Sequence, residues 1–327
     1  MFTPYYSIII KRKTSLSREW KENPQAPGER NINFSEGKDM SVRKLIAIDF
    51  DGTILNSNHE ISEENIRAIK KAMRQGHIVM ILTGRQPESI REELAKYGLD
   101  LPFGANNGTE VYADGKLLER TALTPSQNKR VAFAVEEENV PYKISTNMGV
   151  FAPKNWSGRL EKVLSSGRVP QEYLNDVNFE KMTQPPEKLG QTMFERIEEF
   201  LERKDLIALK YLILAFDPEQ KSRLLRKLAS IEEITITHSA PFNIEVMNRN
   251  GNKGNGLKVM ANYYRIPLEN TVAIGDEAND IAMFKTAGLA IAMGNAPEEV
   301  RKAGDAVTLS NDENGVAYAI ENFVLKD

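Results

Sequence analysis

Two aspartates, at positions 49 and 51, end the apolar stretch KLIAIDFD, and Gly-Thr follows at once. Residues i and i+2 of a strand lie on the same face, so both carboxylates can approach one reacting atom. A carboxylate such as Asp49 can attack phosphorus and form an acyl phosphate, which divides one difficult displacement into two. Asp51 can then protonate the departing alcohol and later deprotonate water. The pair predicts phosphoryl-transfer chemistry, although a D-x-D tripeptide alone is equally consistent with a solvated turn.

A second acidic group, Asp276 and Asp280, lies in the segment GDEAND. Asp49 and these two carboxylates would repel one another at a common point unless a hard cation neutralised them, and Mg²⁺ prefers such oxygen ligands. Zero cysteines and three scattered histidines leave little for a zinc site. We therefore expect a magnesium site, with an exposed loop as the alternative explanation for GDEAND.

Hydrogen-bond donors suited to phosphoryl oxygens occur at other positions. Thr83 precedes Gly84 and Arg85 in LTGR, and Lys253 lies in the glycine-rich NRNGNKGNG. Each residue has a simpler explanation by itself, since threonine often caps a helix, lysine is usually solvated, and Asn107-Gly108 is typical of a tight turn. The functional interpretation rests on all of them meeting at one edge of a sheet.

The surrounding elements predict such an edge. KLIAIDF and HIVMILTG are continuous apolar runs, typical of parallel strands covered on both faces. ISEENIRAIKKAMRQG predicts a helix between them, with Ser62 as its N-cap and Gly76 as its stop, and QPESIREELAKYG predicts a second helix. Alternating strands and helices indicate an α/β fold with a Rossmann-like parallel sheet, in which ligands bind beyond the carboxyl ends of the strands.

The length of 327 residues favours two domains. Between about residues 121 and 237 the apolar stretches are shorter; LIALKYLILAFD is the clearest strand and PEQKSRLLRKLAS the clearest helix. The parallel pattern resumes with NIEVM and the helix GNGLKVMANYY, and the helix NDIAMFKTAG follows the strand NTVAIGDE. We expect a discontinuous core of residues 41–120 and 238–327, with an inserted α+β domain at 121–237.

Residues 1–40 show no periodicity and predict a disordered N-terminal extension. Met40, just before the first strand, is an alternative start. With 43 Lys and Arg against 46 Asp and Glu, the charge balance gives no indication of nucleic-acid or membrane partners. The apolar stretch YYSIII is too short to span a membrane and lacks a signal-peptide pattern, so we expect a cytoplasmic protein.

The segments DFDGTIL, LTGR, NKGNGL and GDEANDIAMF resemble the four ordered motifs of the haloacid dehalogenase superfamily. The likeness runs from about residue 42 to the end, and the ending AMGNAPEEVRKAGDAVTLSNDENGVAYAIENF resembles that of Cof-type sugar-phosphate phosphatases. The resemblance implies a Rossmann-like core with an inserted α+β cap of the C2 type, and Mg²⁺-dependent hydrolysis of phosphomonoesters through an aspartyl phosphate. Asp51 favours hydrolysis, because ion-pumping relatives have threonine there.

The resemblance also implies a role for each motif residue. Asp49 is the nucleophile and a metal ligand, and Asp51 is the acid/base, with its backbone carbonyl on the metal. The other implied contacts are Thr83, Lys253 and Asn279 to the phosphoryl group, Asp276 to Mg²⁺, Asp280 to Mg²⁺ through water, and Gly84, Arg85 and Asn107 to the substrate. Thr109 departs from the alanine that the family more often has after Asn-Gly, and it bears on substrate contacts rather than on the chemistry.

The leading hypothesis is a Mg²⁺-dependent phosphatase of small phosphorylated metabolites. A sugar-phosphate mutase uses the same acid/base and differs in the acceptor that meets the phosphoenzyme. A catalytically silent module that binds a phosphorylated ligand leaves the complete motif set unexplained. A glycosyltransferase with a D-x-D metal site gives no role to the threonine, lysine and acidic motifs.

Substrate choice is expected to lie in the inserted cap, which would open and close on hinges near residues 121 and 238. Cap residues able to contact a sugar or a flavin-like ring are Tyr142, Lys143, Asn147, Trp156 and Arg159. Each is more simply explained as part of the cap surface or the cap core. Candidate substrates are hexose and pentose phosphates, pyridoxal phosphate, flavin mononucleotide and riboflavin-pathway intermediates. No feature of the sequence indicates an oligomeric state.

Overall fold

A computed structural model describes residues 42–176 and 178–325 of the chain. The N-terminal extension predicted at residues 1–40 lies outside these residues. The strands, in chain order, are β1 Leu45–Ile48, β2 Ile78–Leu82, β3 Phe103–Ala105, β4 Glu110–Ala113, β5 Lys116–Arg120, β6 Tyr142–Thr146, β7 Gly149–Pro153, β8 Thr192–Phe194, β9 Ala208–Leu214, β10 Ile234–Thr237, β11 Asn243–Asn248, β12 Thr271–Gly275, β13 Leu289–Ala292 and β14 Ala306–Val307.

Helices connect these strands. The α-helices are α1 Glu63–Arg74, α2 Pro87–Lys96, α3 Pro125–Glu138, α4 Trp156–Leu164, α5 Gln171–Leu174, α6 Phe179–Met182, α7 Ile197–Glu202, α8 Pro218–Ala229, α9 Lys253–Tyr264, α10 Ile281–Phe284, α11 Glu298–Arg301 and α12 Gly315–Ala319. The predicted cap of α1 is confirmed, because the Ser62 side chain accepts a hydrogen bond from the Asn65 backbone N–H. The helix expected from NDIAMFKTAG is shorter than predicted: a 3₁₀ turn at Ala278–Asp280 precedes α10.

The core sheet has the strand order β14-β13-β12-β1-β2-β3-β4-β5 within the described residues. The strands from β14 to β3 pair in parallel, whereas β4 and β5 add an antiparallel edge. The chain leaves β1 toward β2 and β3 on one side and returns to β12 on the other. The carboxyl end of β1 is therefore the switch point at which doubly wound sheets bind ligands.

Side chains alternate between the two faces of the core sheet, as a sheet covered on both faces requires. Ile46 and Ile48 pack with α1, α2 and α12 in one apolar cluster. Leu45 and Ala47 pack with α9 and α10 in another. The end of β1 is thus held from both faces.

A second sheet has the order β10-β11-β9-β6-β7-β8 within the described residues and is mostly antiparallel. We call this sheet and the helices packed on it the cap. Tyr142, Ile144, Tyr211 and Ile213 pack on one face of the cap sheet against α3 and α8. The fold is therefore α/β, with a Rossmann-like core and an inserted α+β cap.

The expectation that NIEVM belongs to the parallel core sheet was wrong. These residues form β11, which pairs antiparallel with β9 and β10 in the cap sheet. A short apolar run shows that a strand is buried, but it does not show which sheet receives it. The core chain resumes only at α9.

Candidate active site

The turn after β1 places Asp49 at the centre of the core edge. The Asp49 backbone N–H donates to Ile274 O at 2.9 Å, which ties the end of β1 to β12. Gly52 follows with a φ of +75°, and a side chain there would collide with the Asp276 carboxylate. Glycine is required at this position because it tolerates the left-handed backbone and leaves room for the carboxylate.

Three buried carboxylates meet beside this turn. Asp49, Asp276 and Asp280 each offer an oxygen, and these oxygens lie within 4.8 Å of one another. Thr53 donates its hydroxyl to Asp276 Oδ1 at 2.7 Å, and the backbone N–H groups of Asp276 and Glu277 each donate to Asp280 Oδ2 at 2.9 Å. These hydrogen bonds fix the orientation of the cluster.

The electrostatics of the cluster suit a cation. Burial, and then the negative charge of Asp280, raise the pKa of Asp49 well above its usual range and the pKa of Asp276 to about 8. Neither carboxyl group ionises easily at this place without additional positive charge. A buried set of oxygen donors with this property can hold a divalent metal ion.

Lys253 supplies one positive charge from the first turn of α9. Asn252 caps this helix by accepting a hydrogen bond from the Asn255 backbone N–H. The buried Lys253 Nζ lies 2.5 Å from Asp49 Oδ1 and 2.6 Å from Asp280 Oδ1. Burial opposes the ammonium charge, but the charges of Asp280 and Asp49 outweigh it and raise the pKa of Lys253.

Asp51 lies on the open side of the turn and is held by cations. Arg85 Nη2 donates to Asp51 Oδ1 at 2.6 Å and Arg85 Nε donates to Asp51 Oδ2 at 2.9 Å. Lys181, on α6 of the cap, donates to Asp51 Oδ1 at 2.6 Å. Burial opposes ionisation, but the hydrogen bond from Arg85 and the charge of Lys181 hold the pKa of Asp51 well below its usual range.

Thr83 lies at the end of β2 and Asn107 in the turn after β3. Thr83 is buried, and its hydroxyl accepts the Arg85 backbone N–H at 3.3 Å. Asn107 has a φ of +62° and accepts a hydrogen bond from the Asn279 side chain at 3.4 Å. The sequence-predicted residues are therefore connected through contacts at one edge of the core sheet. Thr109 is buried, and its methyl group lies against Gly251.

The open face of the cap sheet covers this edge. Lys210 on β9 donates to Gly84 O at 2.9 Å and pairs with Glu245 on β11 at 3.2 Å. Asn107 donates to the other oxygen of Glu245 at 2.7 Å. Lys210 and Glu245 are only 4% and 3% exposed, so they form a buried ion pair within the cap sheet. Each partner also contacts a core loop, through Gly84 O and Asn107 respectively.

Sequence reasoning missed three of these residues. Lys210 and Glu245 each interrupt an otherwise apolar strand, ALKYLIL and NIEVM, and a charge inside a buried strand is a signal that was present. Lys181 lies on a helix of four residues in an irregular part of the cap and gives no comparable signal.

Most of the cap residues proposed from the sequence are structural. Tyr142 and Arg159 both bind Glu136 at the edge of the cap core, and Trp156 is fully buried. Asn147 binds the backbone of Asp205 and Ile207. Lys143 differs from these residues because it lies on the face of the cap sheet that carries Lys210 and covers the core edge. It donates to Gln184 O at 3.0 Å.

Comparison with known proteins decides the family. Residues 46–320 match the model of the haloacid dehalogenase-like hydrolases. The chain belongs to this hydrolase family. It is similar to the phosphatase YwpJ of Bacillus subtilis, with 32% identity over 86% of this chain and 100% of that protein. It is also similar to the 5-amino-6-(5-phospho-D-ribitylamino)uracil phosphatase YwtE of the same organism, with 34% identity over 86% of this chain and 98% of the relative.

The fold agrees with this family. A haloacid dehalogenase-like hydrolase from B. subtilis superposes with a TM-score of 0.74 at 31% identity, over 86% of this chain and 100% of that structure. The protein described here is therefore a phosphatase, like its relatives YwpJ and YwtE. Within the described residues, no helix is both long enough and apolar enough to cross a membrane.

Proposed function

We propose that this phosphatase hydrolyses small phosphorylated metabolites, such as sugar phosphates and related phosphomonoesters, through an aspartyl phosphate on Asp49, with Mg²⁺ as its cofactor. One observation carries the proposal. Lys253 is shared between Asp49 and Asp280 beside the carboxylate cluster, whereas Asp51 stands apart on the open side. Nucleophile and acid/base are thus separated around the space in which a phosphoryl group would sit.

The proposed reaction has two steps on these residues. An Asp49 oxygen attacks phosphorus, the bond to the alcohol oxygen breaks, and that oxygen takes a proton from Asp51. Because Arg85 and Lys181 hold the pKa of Asp51 well below its usual range in the free site, Asp51 must take up this proton as the substrate binds. Asp51 then removes a proton from water as the water oxygen attacks phosphorus, which frees orthophosphate and restores the Asp49 carboxylate. Thr83, Lys253 and Asn279 would donate to the phosphoryl oxygens.

The metal site is part of the proposal. Asp49, Asp276, the Asp51 backbone carbonyl and, through water, Asp280 would hold Mg²⁺. When bound, the ion would neutralise the carboxylates and attract the phosphate dianion. The raised pKa values of Asp49 and Asp276 support this fit.

Substrate contacts and the division into domains are further parts of the proposal. Gly84, Arg85 and Asn107 would lie nearest the alcohol portion of the substrate. The division into a core of residues 41–120 and 238–327 and a cap of 121–237 stays a prediction. Strand β11 falls within the second core range, although it pairs with β9 and β10 of the cap sheet. Among phosphorylated metabolites, the similarity to the relative YwtE favours testing 5-amino-6-(5-phospho-D-ribitylamino)uracil first.

The decisive experiment measures orthophosphate release from sugar phosphates, nucleotides and cofactor phosphates, with and without Mg²⁺. We expect release by the wild type and by Asp100→Asn, an exposed aspartate that serves as a matched control. Asp49→Asn should lose nearly all turnover. Failure of the folded, metal-binding wild type on the whole panel would refute the proposal, and formation of a product isomer without phosphate would indicate a mutase.

A further inference from the structure

The cap reaches the reacting centre directly through Lys181. Its Nζ lies 2.6 Å from Asp51 Oδ1, although the two residues are 130 positions apart in sequence. The side chain is 48% exposed, and its ammonium group bridges from the cap to the core turn that carries Asp51. Its partner is the residue beside which the leaving oxygen of a substrate must pass.

The helix that carries Lys181 is fixed to the cap. Phe179, two residues earlier, packs edge to face against Phe216 and Phe242, with ring centroids 5.7 and 6.2 Å apart. Lys143 anchors the following segment by its hydrogen bond to Gln184 O. The base of Lys181 therefore moves with the cap.

Two cations, Arg85 and Lys181, contact the single negative charge of Asp51. Arg85 alone donates to both of its oxygens. Glu93 lies 3.8 Å from Arg85, but it has its own cation in Lys96 at 3.0 Å. Lys181 is thus a second cation on a carboxylate that Arg85 already binds through both oxygens, and it lies on the more exposed side of that carboxylate.

We propose that Lys181 is a substrate-binding residue, whose ammonium group leaves Asp51 and pairs with the phosphoryl oxygens when a phosphomonoester enters under the closed cap. This inference rests on the proposed function. A lysine suits the task, since its ammonium is a compact charge with three donors on a flexible stem.

The role has a consequence for affinity. A cap that contributes a phosphoryl ligand closes more firmly over an occupied site than over an empty one, because the closed state gains a contact that the open state lacks. Binding of substrate and closure of the cap are thereby coupled through one side chain.

The test compares Lys181→Met and Lys181→Arg with Lys188→Met, which removes an exposed lysine from the neighbouring turn at Pro186–Leu189. The assay takes kcat and KM on the phosphomonoester that the wild type hydrolyses best, and the inhibition constant of inorganic phosphate. For Lys181→Met we expect KM and the inhibition constant to rise about ten- to a hundredfold, the range for loss of one hydrogen bond to a charged group. We expect a smaller change in kcat.

In Lys181→Arg, KM and the inhibition constant of phosphate should return most of the way to their wild-type values. In Lys188→Met, both should equal those of the wild type. If KM and the inhibition constant of Lys181→Met lie within twofold of wild type, or below it, the inference is overturned. The contact between Lys181 and Asp51 would then stabilise only the ligand-free protein. A rise in KM without a rise in the phosphate constant would also overturn it. If the wild type hydrolysed no phosphomonoester, the proposed function would be refuted instead.

Discussion

Replacing Lys253 with methionine tests whether the buried lysine holds the acidic cluster together. The Lys253 side chain is 1% exposed, and its partners Asp49 and Asp280 are 7% and 0% exposed. Methionine keeps most of the volume and removes only the charge. The substitution therefore leaves two buried carboxylates without their cation.

The expected loss follows from this burial. Removing one partner of a buried ion pair costs about 3–5 kcal/mol, because an uncompensated charge stays in a low-dielectric place. The raised pKa of Lys253 means that its stabilisation is fully present at every pH below the ordinary pKa of lysine. At pH 8 with the metal chelated, we expect the free energy of unfolding to fall by that amount.

The pH dependence has a definite sign. The folded-state pKa of Asp49 is raised well above its usual range and that of Asp276 is raised to about 8, so Asp276 takes up a proton as the pH falls below about 8 and Asp49 also binds its proton more readily than an ordinary aspartate. Protonation removes the uncompensated charge. The difference between Lys253→Met and wild type should therefore be smaller at pH 5 than at pH 8.

Urea unfolding followed by circular dichroism measures this effect. Lys258→Met is the matched control, because Lys258 is an exposed lysine on the same helix α9. We expect the control to stay within about 0.5 kcal/mol of wild type. A loss below about 1 kcal/mol for Lys253→Met at pH 8, or a loss that grows on acidification, would refute the electrostatic argument.

Three further outcomes are expected. Asp51→Asn should lower kcat by about 10²- to 10⁴-fold in an orthophosphate assay, because both half-reactions lose their proton carrier, and a loss below tenfold would contradict that role. Apparent Mg²⁺ affinity in calorimetry should rise with pH up to about 8 and then level off, because Asp276 must lose a proton to bind the ion; an affinity independent of pH would argue against this. Glu245→Gln should lower stability toward urea by about 3 kcal/mol, because it leaves the buried Lys210 without its counter-charge, and an unchanged midpoint would show that the pair is not needed.

Several elements could be predicted because the responsible signals are local. Ser62 followed by two glutamates marked the start of α1, and the apolar runs marked β1 and β2. Strand β11 could not be assigned to its sheet, because its pairing with β9, whose residues are distant in sequence, decides it.

The sequence by itself determined the core residues of the candidate site. Asp49, Asp51, Lys253 and Asp276 could be predicted from residue type and spacing, because a parallel sheet brings the ends of its strands to one edge. The family and the phosphatase class therefore followed from short motifs, whereas the roles of the individual residues stay predictions.

Only the tertiary structure decided what lies above that edge. Lys181, Lys210 and Glu245 reach the site from the cap, and their placement depends on how the cap sheet packs over the core loops. Such contacts join residues that are distant in sequence and belong to no repeating pattern. For that physical reason the proposed reacting groups could be predicted from the sequence, whereas the cap groups above them required the fold.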